Sequence, residues 1–133
     1  MNIAFWMKKP EIIWTDDLPG WKGGVCEYEA FKSVIKIRPK YKNDIGIQNH
    51  EKKHAEQYKK LFWIHSGLYM LNASYRLKAE LEAYGEQVKA YGYTRRSQYD
   101  WIVKALFYHY DLKMSIREIQ AKADKVFDKC LQV

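Results

Sequence analysis

Cysteine occurs only twice in the 133 residues, at Cys26 and Cys130, and proline only three times. Two cysteines cannot build a disulfide framework, and they read as two free thiols as readily as one bridge. No apolar run approaches the roughly 18 residues that a membrane span needs. The opening MNIAFWMKKPEIIW reaches Lys8, Lys9 and Pro10 after a handful of apolar residues, and no small-residue cleavage pattern follows. The expectation is a soluble, cytoplasmic protein with neither signal peptide nor transmembrane segment. Internal repeats, low-complexity segments and linkers are missing as well. Gly20 to Gly24 has neither the Lys-Ser/Thr nor the flanking strand and helix of a phosphate loop. Nor is there a long run of one charge: the net +7 comes from scattered pairs such as Lys52/Lys53, Lys59/Lys60 and Arg95/Arg96, which suits a solvated surface better than a dedicated polyanion site.

What is present is apolar and aromatic. Hydrophobic residues make up 47% and aromatics 16%, which sets disorder aside, and residues 1–133 are the length of one ordinary domain. Pro19-Gly20 and Gly23-Gly24 punctuate the first forty residues. The stretch Glu27 to Arg38 is rich in β-branched and aromatic residues, with Val34 and Lys36 on one face and Ile35 and Ile37 on the other. These features predict a small antiparallel sheet, with Val34 to Arg38 as its edge and Pro39 as its stop. Asp44 then N-caps a first helix expected to end near Gly67. A second helix is predicted from Asn72 or Ser74 to Gly92, a third from Thr94 or Ser97, and a fourth from about Ile116 to Cys130 behind the capping box Ser115-Ile-Arg-Glu118. The fold class is therefore α+β.

Chemistry concentrates in QNHEKKHAEQYKK, Gln48 to Lys60. A helix turns 100° per residue, so His50 and His54 share a face one turn apart and can bind one metal ion. Glu51 lies one step around, outside the ligand set but within reach of a water activated by that metal. A catalytic zinc needs three protein ligands and an open position. The second helix offers Glu80 and Glu82 on nearly opposite sides. Glu80 shares its side with Leu77, Tyr84 and Gln87, whereas Glu82 lies with Lys78, Glu86 and Lys89 on a face that reads as solvent, so Glu80 is preferred and Glu82 remains the rival.

His50-Glu51-x-x-His54 followed by Glu80-Leu-Glu82-Ala83-Tyr84 resembles the gluzincins, HExxH zinc peptidases whose third ligand is a downstream glutamate. The branch that includes the CAAX-processing peptidases and the small soluble minigluzincins often reads E-x-E-A-D there. The resemblance implies a zincin-like fold, Zn²⁺ held by His50, His54 and Glu80, Glu51 as general base, and a peptide or protein substrate. It covers Ile45 to Gly92 and hardly touches the last forty residues. Tyr84 stands where the branch has the aspartate that supports the first histidine; Gln57 or Asn72 can serve instead. Gln57 also completes H-E-x-x-H-x-x-Q, a version associated with short bacterial and phage-borne members.

Other residues are weaker candidates. His65 and His109 read first as helix-end or core histidines, yet either, or Tyr58 or Tyr84, can donate to an oxyanion. Cys26 reads as an idle thiol rather than an inhibitory thiolate on zinc. The expected activity is zinc-dependent peptide hydrolysis, on a substrate that net charge hints is acidic or associated with an anionic cell wall. The competing expectation is a small basic nucleic-acid- or protein-binding module, or an inactive peptidase-like fold, whose His/Glu cluster is not catalytic.

Overall fold

The computed structural model describes residues 9–29, 31–92 and 95–130. They form an α+β fold of three strands, a 3₁₀ turn and five α-helices: β1 Glu11–Trp14, β2 Gly24–Glu29, β3 Lys32–Ile37, the turn Pro39–Tyr41, then α1 Ile45–Leu61, α2 Trp63–Leu71, α3 Ala73–Tyr91, α4 Arg95–His109 and α5 Ile116–Cys130. The sheet packs on α1, α1 lies along α3, and α3 carries α4 and α5 on its far side. A start of α4 at Thr94 and the side chain of Cys130 lie outside the described residues. Cys26 is a free thiol.

The sheet departs from expectation in two ways. The stretch from Glu27 to Arg38 is a hairpin, with β2 antiparallel to β3 in the register Gly24↔Ile37 to Glu29↔Lys32. β1 pairs with β3 in parallel, from Glu11↔Val34 to Trp14↔Ile37, so the order is β1-β3-β2 and the sheet is mixed. The strand expected at the edge, Val34 to Arg38, is thus central, which is why Val34, Ile35 and Ile37 are buried. The reason is the loop between β1 and β2. Its Pro and Gly pairs read as a tight turn, but the loop crosses the end of β3 and is held there by Arg38. The guanidinium donates to the carbonyls of Lys22 (2.8 Å), Pro19 (2.9 Å), Leu18 (3.0 Å) and Asp16 (3.0 Å).

The helices follow their capping signals. The Asp44 carboxylate accepts from Ile47 N at 3.1 Å, and the Asn72 side chain accepts from Tyr75 N at 3.0 Å. Gly92 ends α3 at φ 56°, a left-handed conformation that glycine takes without strain. In the Ser115/Glu118 capping box, Glu118 N donates to Ser115 Oγ and Ser115 N to Glu118 Oε1. The helix expected to run to Gly67 instead breaks at Phe62, where φ is 55°. A non-glycine residue there costs on the order of 1–2 kcal/mol. The turn lets Phe62 and His65 both become buried, and a second helix runs on to Leu71. Leu77, Leu81 and Val88 of α3 meet Ile102 and Leu106 of α4 and Ile119, Ala123 and Phe127 of α5 in one apolar cluster, each large side chain contributing about 1.5–3 kcal/mol by burial.

Gly46 of α1 makes room for the Tyr91 ring of α3. A Cβ there would lie 2.3 Å from Cε1 of Tyr91, whose hydroxyl is tied to Asp44 and cannot simply swing away. Gly46→Ala is expected to lower unfolding stability by about 1–3 kcal/mol. Gly67→Ala, in a helix with open space around it, should instead leave stability unchanged or raise it by up to about 1 kcal/mol. Urea unfolding of both variants checks the pair.

Candidate metal centre

α1 and α3 bring His50, His54 and Glu80 together, all three buried, with one potential ligand atom from each lying within 4.8 Å of the others. His50 Nε2 stands 3.3 Å from Glu80 Oε1, and His54 Nε2 stands 3.1 Å from Glu80 Oε2. Tetrahedral zinc with bonds of about 2.0–2.1 Å separates its ligand atoms by roughly 3.3 Å, so the spacing fits such an ion. Glu82 is half-buried and outside the group, so Glu80 is the glutamate that stands beside the two histidines.

Two glutamines decide how the imidazoles face. His54 Nδ1 lies 2.9 Å from Gln57 Oε1, while Gln57 Nε2 donates to Ala79 O on α3 at 2.9 Å. His50 Nδ1 lies 2.9 Å from Gln87 Oε1, while Gln87 Nε2 donates to the Tyr91 hydroxyl at 3.1 Å. Tyr91 in turn donates to the Asp44 carboxylate at 2.9 Å. With each amide NH₂ committed elsewhere, each Oε1 can only accept, and each Nδ1 must carry the hydrogen. In the neutral rings both Nε2 lone pairs therefore point at a carboxylate. Such a cluster of acceptors favours a cation between them. Burial opposes charge on His54, but Glu80 outweighs it and raises the imidazole to about 9. Burial likewise opposes ionisation of Glu80, yet the two histidines hold its carboxyl well below the usual range.

Further groups complete the surroundings. The Tyr69 hydroxyl of α2 donates to Glu80 Oε2, and the Tyr84 ring stands edge-on to His50 with its centroid 4.5 Å away. Glu80 Oε1 and Glu51 Oε2 are buried without a hydrogen-bond partner, an arrangement that costs free energy unless something binds them. Glu51 Oε1 is 3.8 Å from His50 Nε2. Burial pushes the Glu51 carboxyl up, with the histidines partly offsetting this. β2 can pass this close because Gly24 has no side chain: a Cβ there would lie 3.2 Å from Glu51 Cγ.

A cavity of about 660 Å³ opens over the cluster. Gly24, Val25 and Cys26 of β2 form one wall, Trp101 and His109 of α4 another, and Trp21 covers one side with its ring stacked on His109 at 4.3 Å. Arg76 fixes the wall segments through main-chain carbonyls: it donates to Tyr69 O (2.6 Å) and Met70 O (3.1 Å) at the end of α2, and to Tyr110 O (2.8 Å) and Asp111 O (2.6 Å) after α4.

Of the weaker candidates, His109 and Tyr84 line the cavity. Tyr58 stacks between Tyr28 and Phe62 instead. Asn72 caps α3 and supports neither histidine. His65 is buried, with Nδ1 2.6 Å from the Tyr75 hydroxyl and Nε2 3.2 Å from that of Tyr28. Cys26 lines the cavity outside the His50, His54 and Glu80 group, and burial, then Glu51, push its thiol up. Tyr69, Gln87 and Arg76 were not singled out by the sequence reading. Gln87 alone carried a signal, two turns beyond Glu80 on the same face.

Two outcomes are expected. If the cluster holds a metal ion, Gln87→Ala should weaken its binding about 10–100-fold in a chelator-competition titration, and Tyr91→Phe should weaken it less. Burial, and then His54, lower the His65 imidazole to about 4 from its ordinary 6.5. Between those values the unfolded chain takes up a proton that the native chain refuses, so this residue's contribution to stability is full above pH 6.5 and is lost as pH falls toward 4. The difference between the stability profiles of the wild type and His65→Gln should show that loss. Comparison with protein-family models, with curated proteins and with solved structures finds no match for the chain, so the functional reading rests on the geometry of these side chains.

Proposed function

We propose that the chain is a zinc-dependent peptidase of gluzincin type, with His50, His54 and Glu80 as metal ligands and Glu51 as general base. The observation that carries this reading is a buried His/His/Glu cluster beside a second glutamate whose Oε2 has no partner, both opening on a cavity large enough for part of a peptide. Zinc held there supplies Lewis-acid chemistry that polarises a carbonyl and activates water at neutral pH.

The chain's own residues then do the rest. Glu51 accepts the proton of the attacking water at its free oxygen and returns it to the leaving amine; its raised affinity for protons suits both transfers. Tyr69 and the two glutamines keep the ligands in place, so no reorganisation is needed during the reaction. β2 is an edge strand bordering the cavity, and an extended peptide can pair with its outer side. Lys22 and Asp44 are the charged lining residues besides Glu51 and Glu80, so the overall positive charge is not gathered in the cleft. Its Trp21, Trp101 and Tyr110 walls suit a bulky apolar side chain next to the scissile bond.

Glu51→Gln should reduce turnover of a fluorogenic peptide mixture by about 10²–10⁴-fold while leaving one zinc per chain by elemental analysis. Retained turnover would remove Glu51 from the mechanism. Zinc bound by the wild type with no hydrolysis of any peptide would instead favour a non-catalytic metal site in a binding module.

A further inference from the structure

α2 has one face turned toward the candidate metal centre and another that none of the described residues covers. Tyr69 and the buried His65 lie on the inner side. On the outer side Trp63 is 74% exposed, Met70 77% and Leu71 88%, with Ile64 also exposed. Phe31, at the tip of the β2-β3 hairpin, is exposed beside them, its ring set against Phe62 with centroids 5.4 Å apart. The helix WIHSGLYML contains no acidic or basic residue other than His65. Exposures this high belong to side chains that stand clear of the surface, so the face is a protruding ridge rather than a groove.

The segment of chain that carries the ridge holds charge of one sign. From Gln57 to Ala79 there is no aspartate or glutamate, while Lys59, Lys60, Arg76 and Lys78 all fall in that stretch. Arg76 is committed to carbonyls, but Lys59 and Lys60 are exposed at the end of α1, immediately before the ridge. Lysine is depleted in protein interfaces, whose anchoring side chains tend to enter pockets on the partner. A raised strip of Trp, Ile, Met and Leu that follows two exposed lysines in the chain instead matches an anionic lipid surface, in which the apolar side chains enter the boundary between headgroups and acyl chains and the ammonium groups stay at headgroup level. No helix among the described residues is long and apolar enough to cross a membrane, so the contact is with the surface.

We propose that α2 docks the protein on anionic lipid bilayers through Trp63, Ile64, Met70 and Leu71, with Lys59 and Lys60 supplying the electrostatic attraction. Met70 also lines the cavity, so docking sets the mouth of the cleft against the bilayer surface. This contact does not depend on the peptidase reading.

Vesicle sedimentation tests it, using phosphatidylcholine alone and phosphatidylcholine mixed with phosphatidylglycerol. The wild type should bind the anionic vesicles at least about tenfold more tightly than the neutral ones, and less as salt is added. Trp63→Gln with Leu71→Gln should reduce binding about tenfold or more, with unchanged circular dichroism and thermal midpoint. Lys59→Gln with Lys60→Gln should lower binding to the anionic vesicles selectively. The proposal is overturned if the wild type binds neither vesicle, or if both double variants bind like the wild type. It is equally overturned if light scattering shows a dimer that Trp63→Gln with Leu71→Gln dissolves, because the ridge would then be a protein interface.

Discussion

Two imidazole lone pairs directed at one carboxylate, inside a buried layer between two helices, form the constraint on which the site depends. His50 and His54 are held in that tautomer by Gln87 and Gln57, and each glutamine is locked by a second bond of its own. Three acceptors repel one another in a low-dielectric setting unless a positive charge lies between them. The fold therefore offers a cation a defined point, and the partners of these side chains fix that point. The hydrogen-bond chain from Asp44 through Tyr91 and Gln87 to His50 ties it to the first turn of α1, since the same carboxylate caps the helix.

The rest of the architecture keeps these two helices in register and roofs the space above them. α3 serves both purposes: Glu80 and Gln87 face α1, whereas Leu77, Leu81 and Val88 anchor the helix in the cluster with α4 and α5. The sheet brings β2 over Glu51 at the distance that Gly24 permits. Arg38 and Arg76 hold the irregular segments on either side of the cavity, each by donating to several main-chain oxygens.

Much of this was legible in the sequence, because it is written in local rules. The spacing of His50, Glu51 and His54, the division of Glu80 and Glu82 between opposite helix faces, and the caps at Asp44, Asn72 and Ser115 each depend on a turn or two of helix. Features set by distant contacts were not legible. The parallel pairing of β1 depends on Arg38 gripping a loop some twenty residues earlier, and the break at Phe62 depends on burial that tertiary packing alone creates. Gln87, rather than the expected Gln57 or Asn72, meets His50, and Tyr69 reaches Glu80 from beyond Gly67, where the first helix was expected to end.

The grip of Arg38 and Arg76 on carbonyl oxygens has an evolutionary consequence. Every amino acid supplies the same carbonyl, so the contacts made through main-chain oxygens persist whatever side chains the gripped segments carry. Trp21, Met70 and Tyr110 sit on or beside those segments, and selection can exchange cavity-facing groups there while the clamps endure. Descendants of this chain can therefore drift in what they recognise without rebuilding the frame that holds them together.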